Sequence, residues 1–138
     1  MVTKVEGEMM GIFYLSCTVE NQRYPKRKAT VPNMLVDSGS ECTWIPAETL
    51  KRIGIVPMKK NVTFQMANGQ EITRSIGFAI VRVGEFFTTD EVVFAQSGDL
   101  HLIGARTLEG MNVRVDSVQK KLVAAGPILA AVRIRKSR

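Results

Sequence analysis

Apolar and polar residues alternate along much of this chain, and that period of two restricts the fold more than any other feature of the sequence. Phe13, Leu15, Cys17 and Val19 occupy alternate positions. Successive side chains of a β-strand point to opposite faces, so this pattern indicates a strand with one buried face. The same alternation returns over residues 61–84. We therefore predict a mostly β protein with one or two short helices.

The other elements are read from the same pattern and from residues that end strands or helices. Pro32 lacks an amide hydrogen, so we expect the start of its strand to lie outside a central ladder. Strands are predicted at 11–21, 29–37 and 90–96, a short apolar segment at 100–104, short helices at 45–55 and 105–111, and hairpins at 61–84 and 113–125. The apolar segment 127–134 fits a core position and a dimer interface equally well.

The tip of the long hairpin is predicted at Asn68-Gly69. Asparagine and glycine both tolerate a positive φ, which makes this pair the strongest short signal for a β-hairpin.

Length and composition limit the class of protein. The 138 residues suffice for one domain, predicted at 1–131 and followed by a basic tail at 132–138. The N-terminal segment contains two glutamates and no long apolar core, so we expect no signal peptide, no membrane span and a cytoplasmic protein. Cys17 and Cys42 are expected to be reduced. With His101 they are too few for a zinc site, and no metal or cofactor is expected.

The net charge of +6 arises largely from Lys26, Arg27, Lys28 and the tail. Basic patches of this kind can bind nucleic acid, but no nucleic-acid motif accompanies them, so a solvated loop and tail is the favoured interpretation. The alternative, nucleic-acid binding through the tail, predicts a steep salt dependence that truncation after Ala131 removes.

One short segment points to chemistry. Leu35 and Val36 run directly into Asp37, which is followed by Ser38-Gly39-Ser40. Glycine permits a tight turn and a close backbone approach, and the serine hydroxyls can stabilise the turn and the carboxylate. This pattern predicts a carboxylate held on a rigid turn at the edge of the core. The simpler interpretation is an aspartate that only caps its own turn.

A second carboxylate would turn this site into a hydrolytic one, because two adjacent carboxylates share a proton and act together as acid and base. The chain has one similar segment, residues 115–118, in which Val118 replaces the glycine. A β-branched residue does not adopt the required turn at low cost, so this segment is rejected. The remaining source of a partner is Asp37 of a second, identical chain.

These segments together resemble the retropepsin-like aspartic proteases. The segment 35–46 resembles the family's active-site turn, residues 64–77 resemble its flap hairpin, and residues 100–111 resemble its late apolar-apolar-Gly motif with the following helix. The segment 113–131 is similar to the closing hairpin of the prokaryotic branch. Ser38 departs from the commoner threonine, and Cys42 has no role in the family pattern.

The resemblance implies a closed, barrel-like homodimer that hydrolyses a peptide or protein substrate. It implies that Asp37 is catalytic, that Ser38 joins the two active turns across the twofold axis, that Gly39 lets them pass closely, and that Ser40 hydrogen-bonds the outer carboxylate oxygen of Asp37. Ile103 and Gly104 would pack beneath the turn. The flap over the substrate would include Met66, Ala67, Asn68, Gly69 and Gln70.

Two further interpretations stay open at this stage. The same fold could serve as a catalytically silent dimerisation or peptide-binding module. Trp44 is expected in the core under the active turn, with a place in the wall of the substrate pocket as the alternative. His101 is expected to be structural or exposed. A Ser-His-Asp triad of His101 with Ser38 or Ser40 is rejected, because no nucleophile-elbow pattern accompanies these residues.

Overall fold

A computed structural model describes residues 12–131 and residue 133 of the chain. Residues 1–11 and most of the predicted basic tail lie outside that part. The elements are β1 Tyr14–Glu20, β2 Lys28–Val36, β3 Thr43–Pro46, α1 Ala47–Arg52, β4 Lys59–Gln65, β5 Glu71–Val83, β6 Phe86–Ala95, β7 Leu102–Ile103, α2 Ala105–Gly110, β8 Val113–Asp116 and β9 Lys121–Ala124.

Seven strands form one sheet in the order β1-β2-β7-β3-β6-β5-β4, and β8 and β9 form a separate hairpin. Strand β1 also pairs with β5, so six strands follow one another in a ring and β4 lies beside it. The pairs β2–β7 and β3–β6 are parallel. The predicted mostly β class with short helices is confirmed. The closed barrel and the homodimer remain predictions.

The alternation in β1 is confirmed by its burial. Cys17 and Val19 are buried, whereas Tyr14 is exposed. Opposite Ser16 the register of β1 with β2 shifts at a bulge, and two residues of β2, Pro32 and Asn33, lie across from it. Asn33 has a φ of +57° there. A bulge accommodates a residue without an amide hydrogen. The start of the strand, from Lys28 to Val31, pairs with β1, so the expectation that it lies outside a central ladder is wrong.

The predicted boundaries are wrong at two places. The first helix begins at Ala47 and not at residue 45, because Thr43–Pro46 forms β3 and pairs with β6. Strand β6 begins at Phe86, four residues earlier than predicted, after a turn at Gly84. The run Phe86-Phe87-Thr88-Thr89 does not alternate, so its pairing with β5 was not visible in the sequence.

The core has two parts. A large cluster spans most of the domain, and a smaller one contains Trp44, Ile76, Val93, Ala95 and Leu102. The apolar segment 127–131 belongs to neither cluster, since Ile128 and Leu129 are 78% and 97% exposed. The core interpretation of this segment is therefore wrong for the residues described, and the interface interpretation remains. No helix within residues 12–131 is long and apolar enough to cross a membrane.

Candidate active site

Asp37 directly follows the last residue of β2 and is fixed there by strand β7. Its backbone N–H donates to the carbonyl oxygen of Ile103 at 3.0 Å. Two residues earlier, the N–H of Leu35 donates to the carbonyl of His101, whose side chain is exposed. The parallel pairing of β2 with β7 therefore determines where the carboxylate of Asp37 lies.

The turn after Asp37 closes on the aspartate itself. The N–H of Gly39 donates to Oδ1 of Asp37 at 3.0 Å, and the N–H of Ser40 donates to the Asp37 carbonyl at 3.2 Å. Asp37 is half-buried, while Ser38 and Gly39 are exposed. The expected hydrogen bond from the Ser40 hydroxyl to the Asp37 carboxylate does not form in the single described chain. Ser40 contacts Asp37 there through its backbone N–H.

Gly104 supports this loop from below. A Cβ at Gly104 would lie 2.4 Å from the carbonyl oxygen of Cys42 and 2.8 Å from that of Ser40. The first N–H groups of α2 donate to the same loop, Ala105 to Ser40 at 2.7 Å and Arg106 to the carbonyl of Glu41 at 3.1 Å. Only a residue without a side chain allows such an approach of two backbones.

The hairpin of β4 and β5 is confirmed, but its turn differs from the predicted one. The N–H of Gly69 donates to the carbonyl of Met66 at 2.9 Å, and only Gly69 of the predicted Asn68-Gly69 pair has a positive φ, +87°. Asn68 contributes its side chain, whose Oδ1 accepts the N–H of Gln70 at 2.9 Å. The turn thus runs from Met66 to Gly69, and residues 65–71 are exposed.

A cleft of about 880 Å³ lies between this hairpin and the turn from Asp37 to Ser40, which we call the active turn. Of the predicted site residues, five line it: Asp37, Gly39, Ser40, Met66 and Ala67. Ser38, Asn68, Gly69 and Gln70 lie outside the lining, and Ile103 and Gly104 are buried beneath the turn. The cleft thus brings the predicted turn and the first residues of the predicted flap together.

The sequence did not identify most of the apolar wall of the cleft. The rings of Trp44 and Phe64 meet edge to face with centroids 5.0 Å apart, and Val62, Ile76, Leu100 and Leu102 complete the apolar lining. Trp44 is buried, as expected for a core residue, and it also lines the cleft. Its place in a substrate pocket stays a prediction. The alternation of Val62 and Phe64 was the available signal, because both lie on one face of β4.

Charged side chains line the rim of the cleft in pairs. Glu91 accepts hydrogen bonds from Lys59 and from Arg106, the latter at 3.2 Å, and Arg106 lies 3.6 Å from Glu41. In the part of the chain that the structure describes, Asp37 belongs to no ion pair. None of the described lysines and arginines therefore pairs with its carboxylate.

Asp99, at the end of the cleft, is paired tightly with Arg74. Two guanidinium nitrogens of Arg74 donate to the two carboxylate oxygens, at 2.7 and 2.8 Å. These bonds lower the pKa of Asp99 below its ordinary value, with a further contribution from the N–H of Gln96, and they outweigh the opposing effect of burial. The same bonds raise the pKa of Arg74.

The cysteines are both free thiols. Burial raises the pKa of Cys17 to about 12. Cys42 lines the cleft, and burial raises its pKa as well, although the neighbouring Arg106 acts in the opposite direction. Both side chains are therefore protonated and poor nucleophiles at neutral pH. Among the described residues, no group of three His, Cys, Asp or Glu side chains could hold a metal ion.

The rejected second turn has a local role. Oδ1 of Asp116 accepts the N–H groups of Val118 and Gln119 at 3.1 and 3.0 Å, so this carboxylate caps the turn between β8 and β9. Asp116 does not line the cleft. The described chain therefore contributes one turn of the required kind, at Asp37.

A protein-family model described as "gag-polyprotein putative aspartyl protease" matches residues 28–110. This range includes the active turn, the flap hairpin and the Ile103-Gly104 motif. The chain belongs to this aspartyl protease family. The resemblance to the retropepsin-like aspartic proteases is thereby confirmed. No curated protein matches the chain.

Proposed function

We propose that this protease is an endopeptidase whose catalytic pair consists of Asp37 from each of two identical chains. The observation that carries the proposal is the position of Asp37. It is half-buried at the edge of an apolar cleft, held by three backbone hydrogen bonds, and forms no ion pair with another described residue. A second carboxylate beside Asp37 would complete an acid–base pair at this position.

In the proposed dimer, the two Asp37 side chains share one proton and bind a water molecule between them. Sharing of a proton is the established behaviour of aspartic-protease dyads. The ionised carboxylate removes a proton from the water, whose oxygen attacks the carbonyl carbon of the scissile peptide. The protonated carboxylate donates to the carbonyl oxygen. Collapse of the tetrahedral intermediate breaks the C–N bond and delivers a proton to the leaving amine.

The remaining predicted residues take supporting roles in this proposal. Ser38 and Gly39 are exposed on the turn, where the turn of a second chain would meet them. The flap would cover an extended peptide and pair with its backbone, a common mode of peptide recognition. The wall of Trp44, Phe64 and Ile76 favours an apolar side chain next to the scissile bond.

The proposal requires a dimer interface, and apolar residues are exposed near both ends of the described chain. Tyr14 is 60% exposed at the start of β1, and Ile128 and Leu129 are more exposed still. A contiguous exposed apolar patch, to which the neighbouring Ile128 and Leu129 could contribute, is a feature of protein interaction sites. We propose that the segment 127–131 contributes to the contact between two copies.

The decisive experiment compares the wild type with Asp37→Asn in the digestion of a peptide library, with sedimentation at several concentrations. We expect dimers from both proteins, with cleavage by the wild type alone and best at acidic to mildly acidic pH. Wild-type dimers that bind peptides without cleaving them would instead establish the catalytically silent binding module. Cleavage by Asp37→Asn would contradict the assigned role of Asp37.

A mixing experiment tests whether the two carboxylates come from different chains. When an equal amount of Asp37→Asn is added to wild-type protein and subunits exchange freely, about one dimer in four keeps both Asp37 side chains. Activity should fall to about half that of the wild type alone. If each chain worked by itself, the added variant would leave the activity unchanged.

A further inference from the structure

The peptide group between Ile103 and Gly104 is held at both of its ends. Its carbonyl oxygen accepts the N–H of Asp37 at 3.0 Å, and its N–H donates to Oγ1 of Thr43 at 3.0 Å. Gly104 and Thr43 are buried, so water does not replace either bond. The hydroxyl of Thr43 therefore fixes the peptide group to which Asp37 is attached.

The chain of hydrogen bonds continues from Thr43 into the protein. Oγ1 of Thr43 lies 2.5 Å from Oγ1 of Thr107, a residue of α2, and both hydroxyls are fully buried. Oγ1 of Thr107 donates to Oδ2 of Asp90 on β6 at 2.9 Å. The other oxygen of Asp90, Oδ1, accepts the N–H of Glu91 at 2.7 Å.

The chemistry of these groups gives the chain one direction. Oγ1 of Thr107 is the donor to Oδ2 of Asp90, so its single hydroxyl proton points to that carboxylate. Thr107 must then accept from Thr43, and the proton of Thr43 points to Thr107. A lone pair of Thr43 remains for the N–H of Gly104. Each hydroxyl proton thus has one position, and hydrogen bonds aligned in this way polarise and strengthen one another.

We propose that Thr43, Thr107 and Asp90 are positioning residues of the protease, which hold Asp37 in place through this buried chain of hydrogen bonds. The proposal rests on the catalytic role proposed for Asp37. The three side chains connect the peptide group beneath Asp37 to α2 and β6. None of them lines the cleft, so they act on Asp37 without touching the substrate.

Thr43→Val tests the proposal because valine has the shape of threonine without its hydroxyl. The buried N–H of Gly104 then loses its acceptor, and Thr107 loses its donor. We expect kcat per active site to fall by about 10- to 100-fold, as for displacements of an ångström or less in an active site. KM should change by less than about threefold, since ground-state binding is unaffected. Thr43→Ser, which restores the hydroxyl, should recover most of kcat.

Asp90→Asn tests the carboxylate end of this series of hydrogen bonds. Both oxygens of Asp90 accept hydrogen bonds, and an amide has a single acceptor oxygen. Either orientation of the asparagine therefore loses one bond, to Thr107 or to the N–H of Glu91. Because the amide oxygen can still face Thr107, kcat should fall less than in Thr43→Val. Val81→Ala is the control for lost stability, because Val81 is fully buried in β5 and takes no part in this series of hydrogen bonds. If Val81→Ala at equal loss of stability reduces kcat as much, the proposal is overturned.

Amide hydrogen exchange separates this proposal from the proposed function, because it needs no activity. The amides of Asp37 and Gly104 should be protected in the wild type and in Thr43→Ser, and should exchange at least about tenfold faster in Thr43→Val. Unchanged exchange in Thr43→Val would overturn the positioning role. A wild type that cleaves no peptide but shows the expected exchange would refute the proposed function alone.

Discussion

Replacement of Gly104 by alanine is the smallest change that should displace the active turn. The backbone of Gly104 has a φ of −96° and a ψ of 178°, which any residue can adopt, so the cost of the methyl group is steric and not conformational. The new Cβ would lie 2.4 Å from the carbonyl oxygen of Cys42 and 2.7 Å from its carbon. Both atoms belong to the backbone, so no side-chain rotation relieves the contact.

The size of the displacement follows from these distances. The carbonyl oxygen of Cys42 must move away from the new Cβ by roughly 0.6–1.0 Å before the two atoms are at an ordinary contact distance. This movement stretches the hydrogen bond from Ala105 to Ser40, now 2.7 Å long, within the loop that carries Asp37. Overpacking of this kind costs about 1–3 kcal/mol in the free energy of unfolding. A shift approaching 1 Å at a catalytic group reduces turnover by up to about 100-fold.

The assay combines thermal unfolding with kcat on a peptide that the wild type cleaves. We expect Gly104→Ala to unfold at a temperature roughly 3–10 °C lower and to lose most of its turnover. Gly84→Ala is the matched control. Gly84 has a φ of +58° and no atom within 4 Å of the added Cβ, so its alanine variant incurs a conformational cost alone. It should lose about 1 kcal/mol of stability and retain its activity.

The close packing beneath the active turn would be refuted if Gly104→Ala unfolded at the wild-type temperature and cleaved at the wild-type rate. Equal losses of turnover in Gly104→Ala and Gly84→Ala would also refute it, because stability alone would then explain the effect.

Two further predictions concern titrating groups. Arg74 lowers the pKa of Asp99 in the folded state below its ordinary value of 3.8, so the pair stabilises the fold above that pH and the contribution disappears as pH falls through the folded pKa. Asp99→Asn should therefore reduce the free energy of unfolding at pH 7 and reduce it much less near pH 2.5. Urea titrations at both pH values would measure the two losses. An equal loss at both pH values would contradict the ion pair. At pH 7.5 Cys17 should resist iodoacetamide until the protein unfolds, whereas the half-exposed Cys42 should react slowly in the native protein. Rapid alkylation of Cys17 in the native protein would contradict its burial.

The features that depend on neighbouring residues could be predicted from the sequence. The alternation of β1, the hairpin near Asn68-Gly69 and the turn after Asp37 each follow from a few consecutive side chains. Where such local patterns were weak, the prediction failed. Strand β3 was not recognised because four residues that pair in parallel with β6 carry no alternation of their own.

The cleft and the buried hydrogen bonds were decided by the tertiary structure. Trp44 and Phe64 meet from β3 and β4, and Thr43 meets Thr107 across 64 positions of the chain. Such contacts depend on the order and register of the strands, which a single sequence does not specify. The residues alone determined that Asp37 ends a strand on a glycine turn. The packing of β7 and α2 beneath that turn determined where its carboxylate points, because long-range backbone contacts, and not local preference, hold it there.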